Sequence, residues 1–484
     1  MSRGTRGRGT DSRSGVSGLT DLSTFSTVGE AKIEQQTYMA DPRYSMTYDL
    51  PDTPEFITYT TEAGCDFKII QNATVEKCIQ TIMSKDFNDG YFNECFVISY
   101  KLVTTPDRLI ELLDILFNPT VPEGMQWDEF VKNYITPLRL KIMNFVRTWI
   151  RNAWFDFEDE NNFQKLQSLL SRFEEFNSNF NKTLNKLIES KRSKNDYVTN
   201  AVYMKTLTLP KAEKWNGILQ FHPHEFAKQV TLIQNNLFRK IPYNEFLGNG
   251  WMKKNKDELT PHLITLIHST QKLINFVEKV ILSEPNVSQR SLLIHYFLLV
   301  AQHMRELSNF EGMKGVFSAL ESSPIYRLKD SWDGLTKADR AIEASLNELC
   351  DQQKNFARLR EEMKISVAPC IPFVGSTLTD LVFSEDGNKN GKSEKINFFK
   401  VRQIGNLIKE ILVKQATGYA IRDVVEIRSF YDRYEANENE DQMFDLSLKV
   451  ESKRGEMNKE LEKKIEKLKK EGHALIKKYN KGLI

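Results

Sequence analysis

From about Pro54 to Ser190 large apolar side chains recur every three or four residues, the period of helices that bury one face. Thr74 stands directly before Val75, Cys78, Ile79 and Ile82, an i, i+3, i+4, i+7 face, so a helix capped by the Thr74 hydroxyl is predicted there. Phe92–Val103 is a second apolar stretch, and Thr105-Pro106 opens a third helix over Leu109–Phe117. Phe130–Ile150 and Phe163–Leu187 alternate apolar faces with charge, which predicts a bundle of about four to six helices.

A basic polar run, SKRSKNDY (Ser190–Tyr197), reads as a linker to a second helical block from about Thr206 to Val450. Its predicted helices cover Pro223–Arg239, Pro261–Leu282, Arg290–Leu307, Gly312–Leu320, Lys337–Lys364, Phe373–Phe383 and Lys395–Gln415. No strand alternation of any length competes with them. Residues 1 to about 50 are rich in Ser, Thr, Gly and Arg and carry too little apolar surface to fold. Glu451–Ile484 reads as a Lys/Glu-rich helix, with Leu461, Ile465, Leu468 and Leu475 near heptad spacing and Gly472 in a heptad position. We expect it to be a solvated charged helix rather than an extended coiled coil. The fold class is therefore all-α: two helical domains, 53–190 and 206–450, joined by a linker, 191–205, and flanked by a tail, 1–52, and a charged helix, 451–484.

Composition narrows the function. A chain of 484 residues is too long for one typical core. Its net charge of +2 gives no global case for nucleic-acid binding. Arg3, Arg6 and Arg8 hint at RNA contact, but a flexible tail accounts for them better, and Ser12–Thr27 offers hydroxyls for phosphorylation. Cys65, Cys78, Cys95, Cys350 and Cys370 form no CxxC pair, and no secretory segment opens the chain, which fits a cytoplasmic, reducing setting. The longest apolar run, Ser291–Ala301, is too short to cross a bilayer and contains His295. Lys463, Lys464, Lys467, Lys469, Lys470, Lys477 and Lys478 make a local basic surface, for which peripheral membrane or partner contact is the alternative to a plain solvated face.

Candidate chemistry concentrates in SVAPCIPFVGSTLTDLVFSEDGNKN (Ser366–Asn390). Proline is tolerated in a first helical turn, and the following apolar segment, Phe373–Phe383, ends in the acidic turn Ser384–Gly387. Asp386 lies four residues after Val382 and projects from the same side if the helix runs that far. DGNKNG begins like a calcium-binding loop, but its twelfth position is Asn397 rather than a bidentate Glu. GNKNGKS is one residue short of a phosphate-binding loop and does not follow a strand. His222 and His224 flank Pro223, a pair that is more often structural than metal-binding, and no nucleophile–base spacing occurs. No metal or cofactor is expected.

The second block resembles the Cdc25-homology domain of Ras guanine-nucleotide exchange factors. The likeness rests on FHPHEFAKQVTLIQNNLFRKI (Phe221–Ile241), FLGNGW (Phe246–Trp251) and LSNFEGMKGVFSALESSPIYRL (Leu307–Leu328), then APCIPFVGSTLTDLVFSEDGN (Ala368–Asn388) and KINFFKVRQIGNLIKEI (Lys395–Ile411), in that order. The first block resembles the Ras exchanger motif domain through NATVEKCIQTIM, ECFVISYKLVTTPDRLIELLDILF and PLRLKIMNFVRTWIRNAWFDF.

The resemblance implies acceleration of GDP release from a Ras- or Rap-type small GTPase, with no covalent step. A helical hairpin would wedge open one switch segment beside the nucleotide and magnesium. Its active positions fall on Val382 and Asp386, with Thr379 on the preceding turn. A pocket for the other switch segment falls on Leu266, Ile267, His268, Leu320, Glu321, Tyr326 and Phe373. The chain departs from the family pattern, where Leu often stands at Val382, Glu at Asp386, Arg at His268 and Asn at Glu321. The alternative is therefore a catalytically weak or inactive GTPase-binding adaptor with the same fold. The exchanger motif domain would brace the hairpin, and a second GTPase bound there is a further implication. Recruitment to the inner face of a membrane would bring the protein to its partner.

Overall fold

The computed structural model describes residues 34–36, 38–61, 67–193, 202–203, 217–387, 395–434, 438–451 and 459–481. Arg3, Arg6, Arg8, Ser12–Thr27, residues 194–197 of the linker run and the GNKNGKS segment beyond Gly387 lie outside the described residues. Helices of nine residues or more are labelled in chain order. The N-terminal group comprises α1 (Val75–Met83), α2 (Gly90–Ser99), α3 (Pro106–Phe117), α4 (Thr136–Asn152), α5 (Glu160–Phe176) and α6 (Ser178–Arg192).

The predicted cap is in place, with the Thr74 hydroxyl accepting from the Lys77 amide at 3.2 Å, and at the expected helix start Thr105-Pro106 the Thr105 hydroxyl likewise accepts from the Arg108 amide at 3.2 Å. The single helix expected over Phe163–Leu187 is instead two. Asn177 breaks it because its side chain caps α6, accepting from the Phe180 amide at 3.1 Å. At the core, buried Asp156 accepts from the Tyr100 hydroxyl at 2.6 Å and the Trp149 indole at 2.8 Å, which satisfies both aromatic polar tips.

The C-terminal group comprises α7 (Pro223–Phe238), α8 (Pro261–Leu282), α9 (Val287–Glu306), α10 (Phe310–Glu321), α11 (Lys337–Leu349) and α12 (Ala357–Ile365), followed by α13 (Val374–Gly387), α14 (Phe398–Gln415), α15 (Val425–Arg433), α16 (Glu440–Val450) and α17 (Lys459–Asn480). The expected helix Lys337–Lys364 is split into α11 and α12, with Asn355 and Phe356 in the left-handed region between them. Helix α9 is the axis of this group: it packs against α7, α8, α10, α11 and α17, and is buried on nearly all sides. Sheet is minor. β1 (Ile57–Thr60) pairs antiparallel with β2 (Ile69–Ala73), β3 (Val202–Tyr203) pairs in parallel with β5 (Tyr419–Ala420), and β4 (Ile396–Asn397) extends the first pair.

The two groups are joined along α14. β4 pairs with β2 through Asn72–Asn397 and Ala73–Ile396, and α14 lies against α2. The approach is close: a Cβ on Gly405 would sit 2.5 Å from the Cys95 carbonyl oxygen, so only glycine fits. Phe398 packs its ring on Phe92 and Phe96, and the Ser99 hydroxyl donates to the Val401 carbonyl at 2.9 Å. Arg402–Asp89 and Lys409–Glu94 ion pairs and a Tyr91–Asn406 hydrogen bond border this contact.

Helix α17 corrects the expectation of a solvated helix. It docks along α9: Gly472 meets Ser288 and Ser291, the Ser288 hydroxyl donates to the Leu468 carbonyl at 2.7 Å, and Ile476 is fully buried. Gly472 occupies a heptad position because the backbones approach too closely for a large side chain. Lys469 pairs with Asp330 at 2.9 Å and Asp333 at 3.2 Å, and His295 bridges Asp339 on α11 and Asn480 on α17.

Candidate functional site

The start of α13 is fixed by a small buried network. The Phe310 amide donates to the Ile371 carbonyl at 2.8 Å, and the Ile371 amide to the Ser308 carbonyl at 2.9 Å. Asn309 spends its whole side chain here: its oxygen accepts from the Gly312 amide, and its nitrogen donates to Thr231 and Gln234. A Cβ on Gly312 would lie 2.6 Å from that Asn309 nitrogen, which explains the glycine. Glu311 accepts from the Val374 amide at 2.9 Å through one oxygen and from the Thr270 hydroxyl at 2.8 Å through the other. One buried carboxylate thus ties the start of α13 to α10 and α8. Burial raises its pKa, against the lowering effect of those two donors.

From that base α13 runs through Gly387, so Asp386 is helical and one turn beyond Val382. Val374, Leu378 and Leu381 face inward. Thr379, Val382, Phe383 and Asp386 fall at i, i+3, i+4 and i+7 on the flank away from the core. Thr379 and Asp386 are exposed, Val382 is half-buried and Phe383 is 66% exposed. The far end of α13 is also tied down: Glu385 accepts from the Gly248 amide at 3.1 Å and the Asn249 side chain at 2.8 Å. Asp380 pairs with Arg360 of α12 between the two ends.

The remaining predicted residues separate into groups. Leu320, Glu321 and Tyr326 line one cavity of about 180 Å³ with Phe317, Trp332, Glu343 and Asn347. Tyr326 is 59% exposed, with the Lys329 ammonium 3.5 Å above its ring. Burial raises the Glu321 pKa while Lys314, 3.6 Å away, opposes it. Leu320 and Leu266 are 1% and 0% exposed and pack in the core. Ile267 and His268 are exposed on α8 and do not line that cavity. Phe373 is half-buried at the base of α13, edge-on to Phe356 at 5.5 Å. His222 caps α7, its Nδ1 accepting from the His224 amide at 3.2 Å, and His303 lies edge-on to His224 at 4.9 Å. Among the described residues no group of three or more His, Cys, Asp or Glu side chains is placed to hold a metal ion.

Residues 225–402 match the RasGEF domain and residues 69–176 the RasGEF N-terminal motif. The chain belongs to the Ras guanine-nucleotide exchange factor family. It is 30% identical over 400 residues to Ras guanine nucleotide exchange factor P of Dictyostelium discoideum, covering 78% of this chain and 26% of that protein. Against cell division control protein 25 of Saccharomyces cerevisiae it is 27% identical over 446 residues, 83% of this chain and 28% of the relative. Over 243 residues it is 37% identical to Ras-specific guanine nucleotide-releasing factor 2 of Danio rerio, half of this chain and 19% of that protein. The chain thus spans about a quarter of the length of the first two relatives.

Four side chains of this RasGEF domain carry parts of the site that sequence reasoning missed. Phe383 was readable, since it follows Val382 and stands four residues after Thr379. Glu311 and Glu385 were not, because each acts through a partner on another helix or loop, and Lys314 was not, because it reaches Glu321 two turns along the same helix, a separation that no local rule marks.

Proposed function

We propose that this chain accelerates GDP release from a Ras- or Rap-type GTPase by inserting α13 beside the nucleotide. The observation that supports this reading is the outward stripe Thr379–Val382–Phe383–Asp386 on a helix anchored at both ends by carboxylates and braced from the side through α14. Such a helix loses little freedom when it meets a partner, so binding energy goes into displacing the switch segment rather than into ordering α13. In this reading Val382 occupies the magnesium region and the Asp386 carboxylate opposes the phosphates. Both interactions favour the nucleotide-free GTPase, and differential affinity is what shifts that equilibrium. Thr379 supports them from the preceding turn. Phe383 supplies apolar area beside the short Val382 side chain.

Ile267, His268, Glu321 and Tyr326 grip the other switch segment, with Leu266, Leu320 and Phe373 packed beneath or beside them. The N-terminal group holds α14 in position. A second GTPase on that group and recruitment to the inner face of a membrane are compatible additions.

The test is release of a fluorescent GDP analogue from Ras-, Rap- and Ral-type GTPases. Val382→Ala, Phe383→Ala and Asp386→Ala should each lower acceleration by roughly tenfold or more, about 1.4 kcal/mol of lost transition-state stabilisation. Thermal stability should hardly move, because the side chains face outward. Acceleration that survives all three substitutions would remove the mechanism. Complex formation without acceleration by the wild-type protein would make the chain an adaptor.

A further inference from the structure

Docking of α17 on α9 sorts its side chains by face. Ile465, Leu468, Gly472, Leu475, Ile476 and Tyr479 form the inner side, and Lys469 is committed to Asp330 and Asp333. On the opposite side Lys463, Lys467, Lys470, Lys477, Lys478 and Lys481 recur at i, i+4, i+7, i+14, i+15 and i+18, with only Ala474 between. All six are exposed and carry no ion pair with a described residue. Glu462 and Glu471 fall on the flanks and Glu466 at the margin, so the centre of the row is free of acid. At 1.5 Å per residue the row is about 27 Å long. It stands out on a chain whose net charge is only +2.

We propose that this row is a docking face for an anionic lipid surface, which it meets electrostatically and without insertion. Insertion is closed because the apolar face of α17 is already spent against α9. Lipid is favoured over a protein partner by what the row lacks. It has no aromatic or Arg anchor of the kind that carries protein interfaces, and lysine is depleted from those interfaces. It has neither the planar fork that grips single phosphates nor the stacking rings that hold nucleic-acid strands. Evenly spread ammonium groups on flexible stems suit a diffuse, laterally mobile negative surface, which needs no fixed geometry.

The experiment is co-sedimentation of the full chain with phosphatidylcholine vesicles, with and without phosphatidylserine, at low and high salt. The expected result is binding only to the phosphatidylserine vesicles, lost at high salt as surface charges are screened. Each lysine near such a surface contributes about fivefold to partitioning, so Lys463→Gln, Lys467→Gln and Lys470→Gln together should lower it by on the order of a hundredfold. The melting temperature should be unchanged, since these side chains do not touch α9. Equal binding to neutral vesicles, salt-insensitive binding or full retention by the triple variant would overturn the proposal. So would binding to a short nucleic-acid duplex with no binding to phosphatidylserine.

Discussion

Gly405 is the most direct handle on how the N-terminal group supports α13 and α14. A methyl group there would sit 2.5 Å from the Cys95 carbonyl oxygen and 2.7 Å from its Cβ, where approaches under 3.0 Å essentially never occur. The atoms it meets include backbone on α2, which cannot turn aside as a side-chain tip can. Gly405→Ala must therefore push α14 from α2 by at least about 0.5 Å. That movement loosens the Phe398 contact with Phe92 and Phe96 and stretches the Ser99–Val401 hydrogen bond. Overpacking of this kind costs about 1–3 kcal/mol, while replacing a mid-helix glycine with alanine returns up to about 1 kcal/mol. Because the clash is with backbone, the upper part of that cost applies, about 2–3 kcal/mol, and the net expectation is a loss of about 1–2 kcal/mol.

For a domain of this size that loss lowers the melting temperature by roughly 2–4 °C per kcal/mol. Nucleotide release from the responsive GTPase, measured beside the melt and well below it, should also slow although no GTPase-facing side chain has changed. A Gly405→Ala protein with unchanged melting and unchanged exchange would refute the close-packed brace. Reduced stability with full exchange rate would leave the packing intact as a description and remove its part in exchange.

Glu311→Ala leaves the Val374 amide buried without an acceptor, which costs about 1–3 kcal/mol, and Glu311→Gln should cost less because one acceptor remains. Because burial holds the Glu311 pKa above its usual 4.5, this carboxyl contributes stability below that value and loses it as pH rises through the folded pKa. Wild-type stability measured by denaturant titration should carry that downward slope, and the Gln variant should lack it. Glu385→Gln weakens charge-assisted bonds to Gly248 and Asn249, by about 1 kcal/mol given their partial exposure, and should speed hydrogen exchange at the Gly248 amide; equal protection would remove the tether. Gly472→Leu places a large side chain where a Cβ already meets Ser291 at 3.3 Å, so α17 should leave α9 and become sensitive to limited proteolysis; a resistant variant would contradict the docking.

What the sequence disclosed and what it withheld follow the range of the forces involved. Thr74 was legible as a cap and Thr105-Pro106 as a helix start because both signals act within one turn, and Asp386 could be placed beside Val382 because helical spacing is local. Asn177 has the same chemistry, yet it sits inside an uninterrupted apolar rhythm, so its preference for capping α6 showed only once the chain had turned. Glu385 and Asp386 are neighbouring carboxylates with nothing local to tell them apart. The loop at Gly248 and Asn249 takes one and leaves the other exposed. Leu266 and Ile267 differ as little on paper, and one is fully buried while the other stands at the surface.

Gly472 is the sharpest instance. As a break in a heptad it argues against a coiled coil, and as a point of contact with Ser288 and Ser291 it is what permits close packing. Helix α9 could not reveal that contact in advance, because it is buried on nearly every side and its apolar pattern singles out no face for α17. The same docking explains why the lysines on α17 are informative. A free helix could turn any face toward solvent or lipid, whereas a docked one presents only the row opposite its contact, so the position of Gly472 selects which lysines face outward.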